Sequence, residues 1–454
     1  YRSITVKRNR DPSPWLTTDL KILKLQRNSA YKKWKRYQIS DDYLVFKNLK
    51  KEFQTMNSEA MISYFKNLSF QGSKQFWSFY SSHIITKKDK PIGVNPIMVD
   101  GCLISDKTAL CNLFNNFFTS LSSGSNVQLS DCKNFSNELF YNSLPIHTHF
   151  RFKKVNAKDV ECHLRNLNVF SSPGVVSIPT KLVKLDKCNF KIMITDLYND
   201  IIETGTISND WKSAIVTPLI KNKLLDKSDL NNYRGISVLP PLAKVFEKLL
   251  ATQITEYFNI NNLFFNGQHG FRQNHSYETA LNEIISELFR LLNNKKVILM
   301  LFIDFRKAFD LVDPILLLHK LKLYGFDSSA LNLLSNYFSE RSQCVKFDNI
   351  LSDSIKLKLG VPQGSVLGPL LFLIFINDMP LYINKFVTKL FADDTSLILS
   401  DDTINALLKV FNNEIPKLIK WCNYNRLDIN WQKTKFMCIS DNKFKCQLSV
   451  INRK

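Results

Sequence analysis

Apolar positions along this 454-residue chain change period several times, and each change marks an element. Over residues 15–80 they recur mostly at three- to four-residue steps among Lys and Arg, at Trp34, Tyr37, Tyr43, Phe46, Leu49, Phe53, Met56 and Met61, which predicts helices. A second aromatic cluster follows at Phe65, Phe70, Phe76, Trp77, Phe79 and Tyr80. Aromatics interleaved with basic residues can stack on bases, but the first expectation is a helical stripe that packs on the next domain. Leu110 to Leu121 predicts a short helix. Over 121–151 the composition shifts to Ser and Asn with few charges, which predicts a linker.

Beyond Asn156 the pattern tightens. Helices are expected over Ala157–Asn168, from Pro179 to about Thr204, after Pro240-Pro241, over Tyr277–Leu292, Ile315–Tyr324 and Ser328–Phe338, from Pro369, and over Ile404–Trp421. Strands are expected at Trp211–Lys221, ending in a lysine, and at Tyr233–Leu239, with Arg234 inside. Cys344–Leu359 alternates like a hairpin. Gly360-Val361-Pro362-Gln363-Gly364 is a Gly/Pro loop, and Phe436–Ile439 reads as an edge strand. Helices and hairpin-like strands in this order place the chain in the α+β class.

Two strand ends carry acids. Val297–Ile303 is a continuous apolar run closed by Asp304. A carboxylate at the end of a buried strand is costly unless it is paired or bound to metal. In Phe391-Ala392-Asp393-Asp394 two adjacent carboxylates sit at the turn between two apolar, β-branched runs. Neighbouring aspartates repel each other, and a hard divalent cation such as Mg²⁺, which takes carboxylate and phosphate oxygens, gives the pair a reason to exist. Asp41-Asp42 and Asp401-Asp402 lack that strand setting; the second precedes an amphipathic run and reads as a helix N-terminal charge. Asp304 is therefore the expected partner of Asp393 and Asp394 across a shared sheet. Asp310 and Asp313 read as caps of the following helix.

Charge sharpens this picture. The chain carries 61 Lys and Arg against 40 Asp and Glu, a net charge of +21. Eleven of the basic residues, against Asp11 and Asp19, lie in residues 1–40. Such a balance suits a polyanion, most often nucleic acid. Nine scattered cysteines without a CxxC spacing argue against a disulfide framework or structural zinc. The longest apolar run, Pro369–Ile376, falls short of the roughly 20 residues that span a bilayer, so a soluble protein without membrane contact is expected. The chain opens on Tyr1, which suggests a fragment of something longer.

Three carboxylates from two strands can hold two divalent ions that clamp the attacking and leaving oxygens of an in-line displacement at phosphorus. Lys221 and Arg234 are suited to grip a triphosphate. The glycines of the 360–364 loop let backbone approach a nucleotide.

Seven motifs in order then resemble the reverse transcriptases of non-LTR (LINE-type) retrotransposons, jockey-like in kind. They are Trp211-Lys212-Ser213-Ala214, Tyr233-Arg234-Gly235-Ile236-Ser237, Gly270-Phe271-Arg272, Asp304 through Asp310, Gly360 through Ser365, Phe391 through Asp394, and Asn430-x-x-Lys433-Thr434. The resemblance covers roughly residues 155–440. It implies a right-hand polymerase with fingers and an antiparallel palm sheet over 152–454, most of the thumb lying beyond Lys454. Ahead of these would come a basic, mostly helical segment over 1–120 that links to an upstream endonuclease, and the linker over 121–151. It also implies RNA-directed DNA synthesis with two Mg²⁺ ions, an RNA template, a DNA primer or target strand, dNTPs, and work in the nucleus and cytoplasm. Asp304, Asp393 and Asp394 would be catalytic and, with the Phe305 carbonyl, metal-binding. Phe309 would be the gate against a ribose 2′-hydroxyl, Gln363 and Gly364 would meet nucleotide or template, and Lys433 would be a general acid to pyrophosphate. Gly235 and Pro314 stand where the family usually has proline and histidine. An RNA-dependent RNA polymerase, an intron maturase and an inactive relic that only binds RNA are the competing readings; Phe309 speaks against the first.

Overall fold

A computed structural model of the chain describes residues 15–66, 97–99, 102–104, 106–120, 122–143, 148–168, 172–175, 180, 189–222, 224–347 and 350–440. The chain divides into two units between Gly93 and Val94.

Among its described residues the first unit has two helices, Thr18–Tyr37 and Ser40–Lys66. Thr17 caps the first through the Leu20 N–H, and Gln38, at φ +55°, ends it. Trp34 lies parallel to Phe46 at 6.2 Å between ring centres, and Tyr31 and Tyr43 join them. These four members of the aromatic stripe therefore pack across the helical pair itself. An antiparallel pair is its own partner when both helices carry aromatics at helical spacing. The expected cluster from Phe70 to Tyr80 and the basic residues before Trp15 lie outside the described residues.

In the second unit, β1 (Ile97–Val99) and β2 (Cys102–Ile104) pair antiparallel. Strands β3 (Ser213–Ile220) and β4 (Tyr233–Val238) belong to one sheet, and β5 (Val297–Ile303) to another. β6 (Ser342–Phe347), β7 (Ile350–Leu351) and β8 (Ile355–Lys356) complete the first sheet, ordered β4-β3-β6-β7 with β8 beside β6. Its β3 and β6 run parallel, and β3 and β4 antiparallel. β9 (Val387–Phe391), β10 (Asp394–Asp401) and β11 (Lys435–Ile439) complete the second sheet. That sheet is antiparallel throughout, in the order β11-β5-β10-β9. β5 is central and buried, as its unbroken apolar run requires, and its end sets the site.

Helix Leu367–Ile376 is apolar all round and almost wholly buried in the main core. Beside it Lys320 and Asp378, both fully buried, form an ion pair at 2.8 Å. Lys320 also donates to the Phe375 carbonyl, and the Trp421 indole N–H donates to Asp378, so the buried charges are partnered by more than each other.

One stretch departs from expectation. Within 121–151 the structure has a helix, Leu129–Ser143, whose Cys132, Phe135, Leu139 and Phe140 belong to the main core. Those four recur at helical spacing inside a Ser- and Asn-rich background. Burial of the stripe outweighs the poor helix propensity of its polar neighbours. Helix Lys107–Thr119 likewise packs into the second unit through Leu110 and Phe114, beside Val216 of β3 and Val345 of β6. The helix expected from Pro179 is described from Asn189 to Thr204, and its first part lies outside the described residues.

Candidate active site

The site stands at one end of the second sheet. Thr395 of β10 faces Ile303 of β5, and one further step along the register sets Asp394 across from Asp304. Directly opposed like charges destabilise a strand pair. β10 reverses into β9 through a two-residue loop, Ala392-Asp393, because Asp394 pairs with Phe391. Ala392 adopts φ +58°, a conformation that costs a residue with a Cβ roughly 1–2 kcal/mol. Gln268 holds it there. Its carbonyl oxygen accepts from the N–H groups of Ala392 at 3.0 Å and Gly270 at 2.8 Å. The backbone on either side also pairs, Leu390 N–H to Gly267 and His269 N–H to Leu390. Gly270 must be glycine here, since a Cβ would lie 2.2 Å from the Ala392 nitrogen.

The other side of Asp304 is held by the segment before β11. The Asn430 side-chain N–H₂ donates to Asp304 Oδ2 at 2.9 Å, and its backbone N–H donates to the Asp304 carbonyl at 2.8 Å. Lys433 Nζ lies 3.7 Å from the same Oδ2, with its side chain mostly exposed. Phe305 is buried and bridges to Ile429.

The acids repel. Burial, then the nearby charges of Asp394 and Asp304, raises the proton affinity of Asp393. Burial, then Asp304, does the same for Asp394, and Arg234 pulls both back. Among the described residues no group of three His, Cys, Asp or Glu side chains is close enough to bind a metal as placed. The donor set nevertheless fits a hard dication: three carboxylates that offer only oxygen and repel one another at one sheet end.

Cations approach from the first sheet. Lys221, just past β3, donates to the Asn231 carbonyl at 2.6 Å, and Arg234 is exposed on β4. Burial, then the charges of Lys433 and Arg234, lowers the Lys221 proton affinity, so the three cations converge near Asp304.

The loop Gly360–Gly364 ties the two halves together. Its Gly360 and Val361 N–H groups donate to the carbonyls of Val312 and Phe309, and its Gln363 carbonyl accepts from the Ser237 N–H of β4 at 2.7 Å. Gly364, at φ +125°, passes so close to Ser237 that a Cβ would lie 2.3 Å from its carbonyl oxygen. Phe309 is half-buried, stacked on Phe372 at 4.4 Å and edge-on to Phe271 at 6.3 Å.

Of the two aspartates read as caps, Asp313 caps helix Pro314–Leu323 and pairs with Arg426 at 2.8 Å. Asp310 does not cap. It takes the Gln363 amide on both oxygens at 2.8 Å, because the Gly360–Gly364 loop, and not a helix N-terminus, lies against it. Gln268 was not legible as a site residue, and Asp310 and Asn430 were legible only as members of motifs, with Asp310 read as a helix cap.

A carboxylate cluster at a strand end facing convergent cations is the equipment of metal-assisted phosphoryl transfer. Residues 224–448 match the reverse transcriptase (RNA-dependent DNA polymerase) family. The chain is 25% identical over 435 residues to the probable RNA-directed DNA polymerase from transposon BS of Drosophila melanogaster, covering 94% of this chain and 48% of that protein. It is 29% identical over 254 residues to the probable RNA-directed DNA polymerase from transposon X-element of the same fly, covering 55% and 28%. It is 25% identical over 301 residues to the RNA-directed DNA polymerase from mobile element jockey, covering 65% and 32%. This chain thus spans about half, or less, of the length of these curated relatives. It belongs to the reverse transcriptases, and to the jockey-like, non-LTR retrotransposon kind among them.

Proposed function

We propose that this chain is an RNA-directed DNA polymerase that adds dNTPs to a DNA primer 3′-hydroxyl on an RNA template. The observation that carries the reading is the meeting of Asp304 and Asp394 across β5 and β10, with Asp393 at the adjoining turn. The second sheet is then the palm and the first sheet the fingers of a right-hand polymerase. Two Mg²⁺ ions held by Asp304, Asp393, Asp394 and the Phe305 carbonyl would supply a lowered pKa at the primer hydroxyl and charge neutralisation at the leaving pyrophosphate. Lys221 and Arg234 bind the triphosphate, Lys433 gives the pyrophosphate a proton, Gln363 and Gly364 line the nucleotide, and Phe309 excludes a 2′-hydroxyl. The basic helical segment within 1–120 leads from an upstream endonuclease, and the protein acts in nucleus and cytoplasm.

Primer extension tests this. The protein is given a DNA primer on an RNA template with dNTPs and Mg²⁺, beside an Asp393→Asn, Asp394→Asn control. Extension by the wild type alone supports the proposal. Tight RNA binding without extension would favour the relic.

A further inference from the structure

The pairing of Asp310 with Gln363 has no place in the chemistry above, yet it fixes a polarity. An ionised carboxylate only accepts hydrogen bonds. The Gln363 amide must therefore turn its nitrogen toward Asp310, where it lies 2.8 Å from each oxygen. Its Oε1 is left pointing away, with no hydrogen-bond partner among the described residues. The orientation follows from the partner's chemistry and is not a free choice between two flips. The surroundings hold the pair still. Gly360 lies against the Asp310 backbone so closely that a Cβ would come within 2.8 Å of its carbonyl oxygen, and the Gln363 main chain is bonded to Ser237.

Resting on the polymerase reading, we propose that Asp310 is a positioning residue that locks the Gln363 amide so that the nucleotide pocket presents a hydrogen-bond acceptor and selects a donor on the incoming nucleotide. Three cations face Asp310: Lys307 from its own turn, Lys221 beyond β3 and Arg234 on β4. Burial outweighs them and the Gln363 bond, and raises the Asp310 carboxyl to about 6. Above that value the carboxylate holds the amide in one sense. Below it the protonated acid can donate as well as accept, and both senses become possible.

The test is single-nucleotide incorporation by wild type, Asp310→Asn and the charge-conserving swap Asp310→Asn with Gln363→Glu. An asparagine can hold the amide either way round. In the swap, a carboxylate at 363 always offers an outward acceptor, while the asparagine amide introduced at position 310 donates to its other oxygen. At pH 7.5 Asp310→Asn is expected to raise the KM for dNTP roughly tenfold, the weight of about one hydrogen bond, with a smaller change in kcat. The swap is expected to recover most of that loss. The ratio of the Asp310→Asn KM to the wild-type KM should fall toward one as pH drops below about 6. A loss confined to kcat or to thermal stability, or a KM ratio that ignores pH, overturns the proposal. If the wild type extends no primer, the polymerase reading fails separately. The same three proteins are then compared by dNTP dissociation constant on the primer–template complex, and an unchanged constant, or no nucleotide binding at all, refutes the assignment of Asp310.

Discussion

Asn430 holds Asp304 at two points, through its side-chain amide to Oδ2 at 2.9 Å and through its backbone N–H to the carbonyl at 2.8 Å. The side-chain bond fixes one rotamer of a carboxylate that otherwise stands half-exposed. Asn430→Ala keeps the backbone bond and frees the carboxylate. A hydrogen bond to a charged group contributes about 1.5–3 kcal/mol. Extension kinetics should therefore show kcat lowered about ten- to hundredfold, with thermal stability little changed.

Gly270→Ala tests the support behind the catalytic turn. The new methyl would lie 2.2 Å from the Ala392 nitrogen, against backbone that cannot rotate aside. The turn must move, and with it Asp393 and Asp394. Overpacking of this kind costs about 1–3 kcal/mol. Denaturant unfolding should show that loss, and extension should fall to the level of the double Asn control.

Folding raises the proton affinity of both Asp393 and Asp394. The folded state thus holds their protons more tightly than the unfolded chain, and stability drops as pH rises from the ordinary carboxylate range through the raised value. Without divalent metal at pH 7, Asp394→Asn should melt at a higher temperature than the wild type. The difference should vanish in acid, below the usual aspartate value of about 3.9. Added Mg²⁺ should stabilise the wild type and not the variant. Thermal unfolding at both pH values, with and without Mg²⁺, reads all three outcomes.

Phe309 stacks on Phe372 and meets Phe271 edge-on, contacts that would steady its ring if it is the gate against a ribose 2′-hydroxyl, as proposed. Phe309→Val removes the bulk and keeps an apolar wall. Incorporation of NTP relative to dNTP should rise roughly tenfold or more, the scale on which a pocket sees a small change of shape. Competition assays with matched NTP and dNTP measure it.

The strands and the three aspartates were legible because period-two alternation and an acid at the end of an apolar run are local patterns. Val297–Asp304 and Val387–Leu399 needed no partner to be read, and their convergence followed from the cost of leaving buried carboxylates alone. Gln268 and Asp310 act through contacts across the fold, and an amide or an acid in a loop carries no periodic signature. Asp310 sits six residues from Asp304 and looks like a helix cap until the Gly360 loop closes over it. Helix Leu129–Ser143 was hidden for the opposite reason. Its local signal was present at Cys132, Phe135, Leu139 and Phe140, but composition was weighed above spacing.

The braces on the carboxylates come from far along the chain. Gln268 lies 124 residues before Ala392, and Asn430 lies 126 residues after Asp304. Closing loops of that length costs entropy that only the finished contacts return. A ribosome that has released Asp394 but not Asn430 has made all three carboxylates with Asp304 still unbraced. The bracing of the strand end is therefore completed only in the last tenth of the described sequence, and a chain ended before Asn430 would hold its acids more loosely than the finished one.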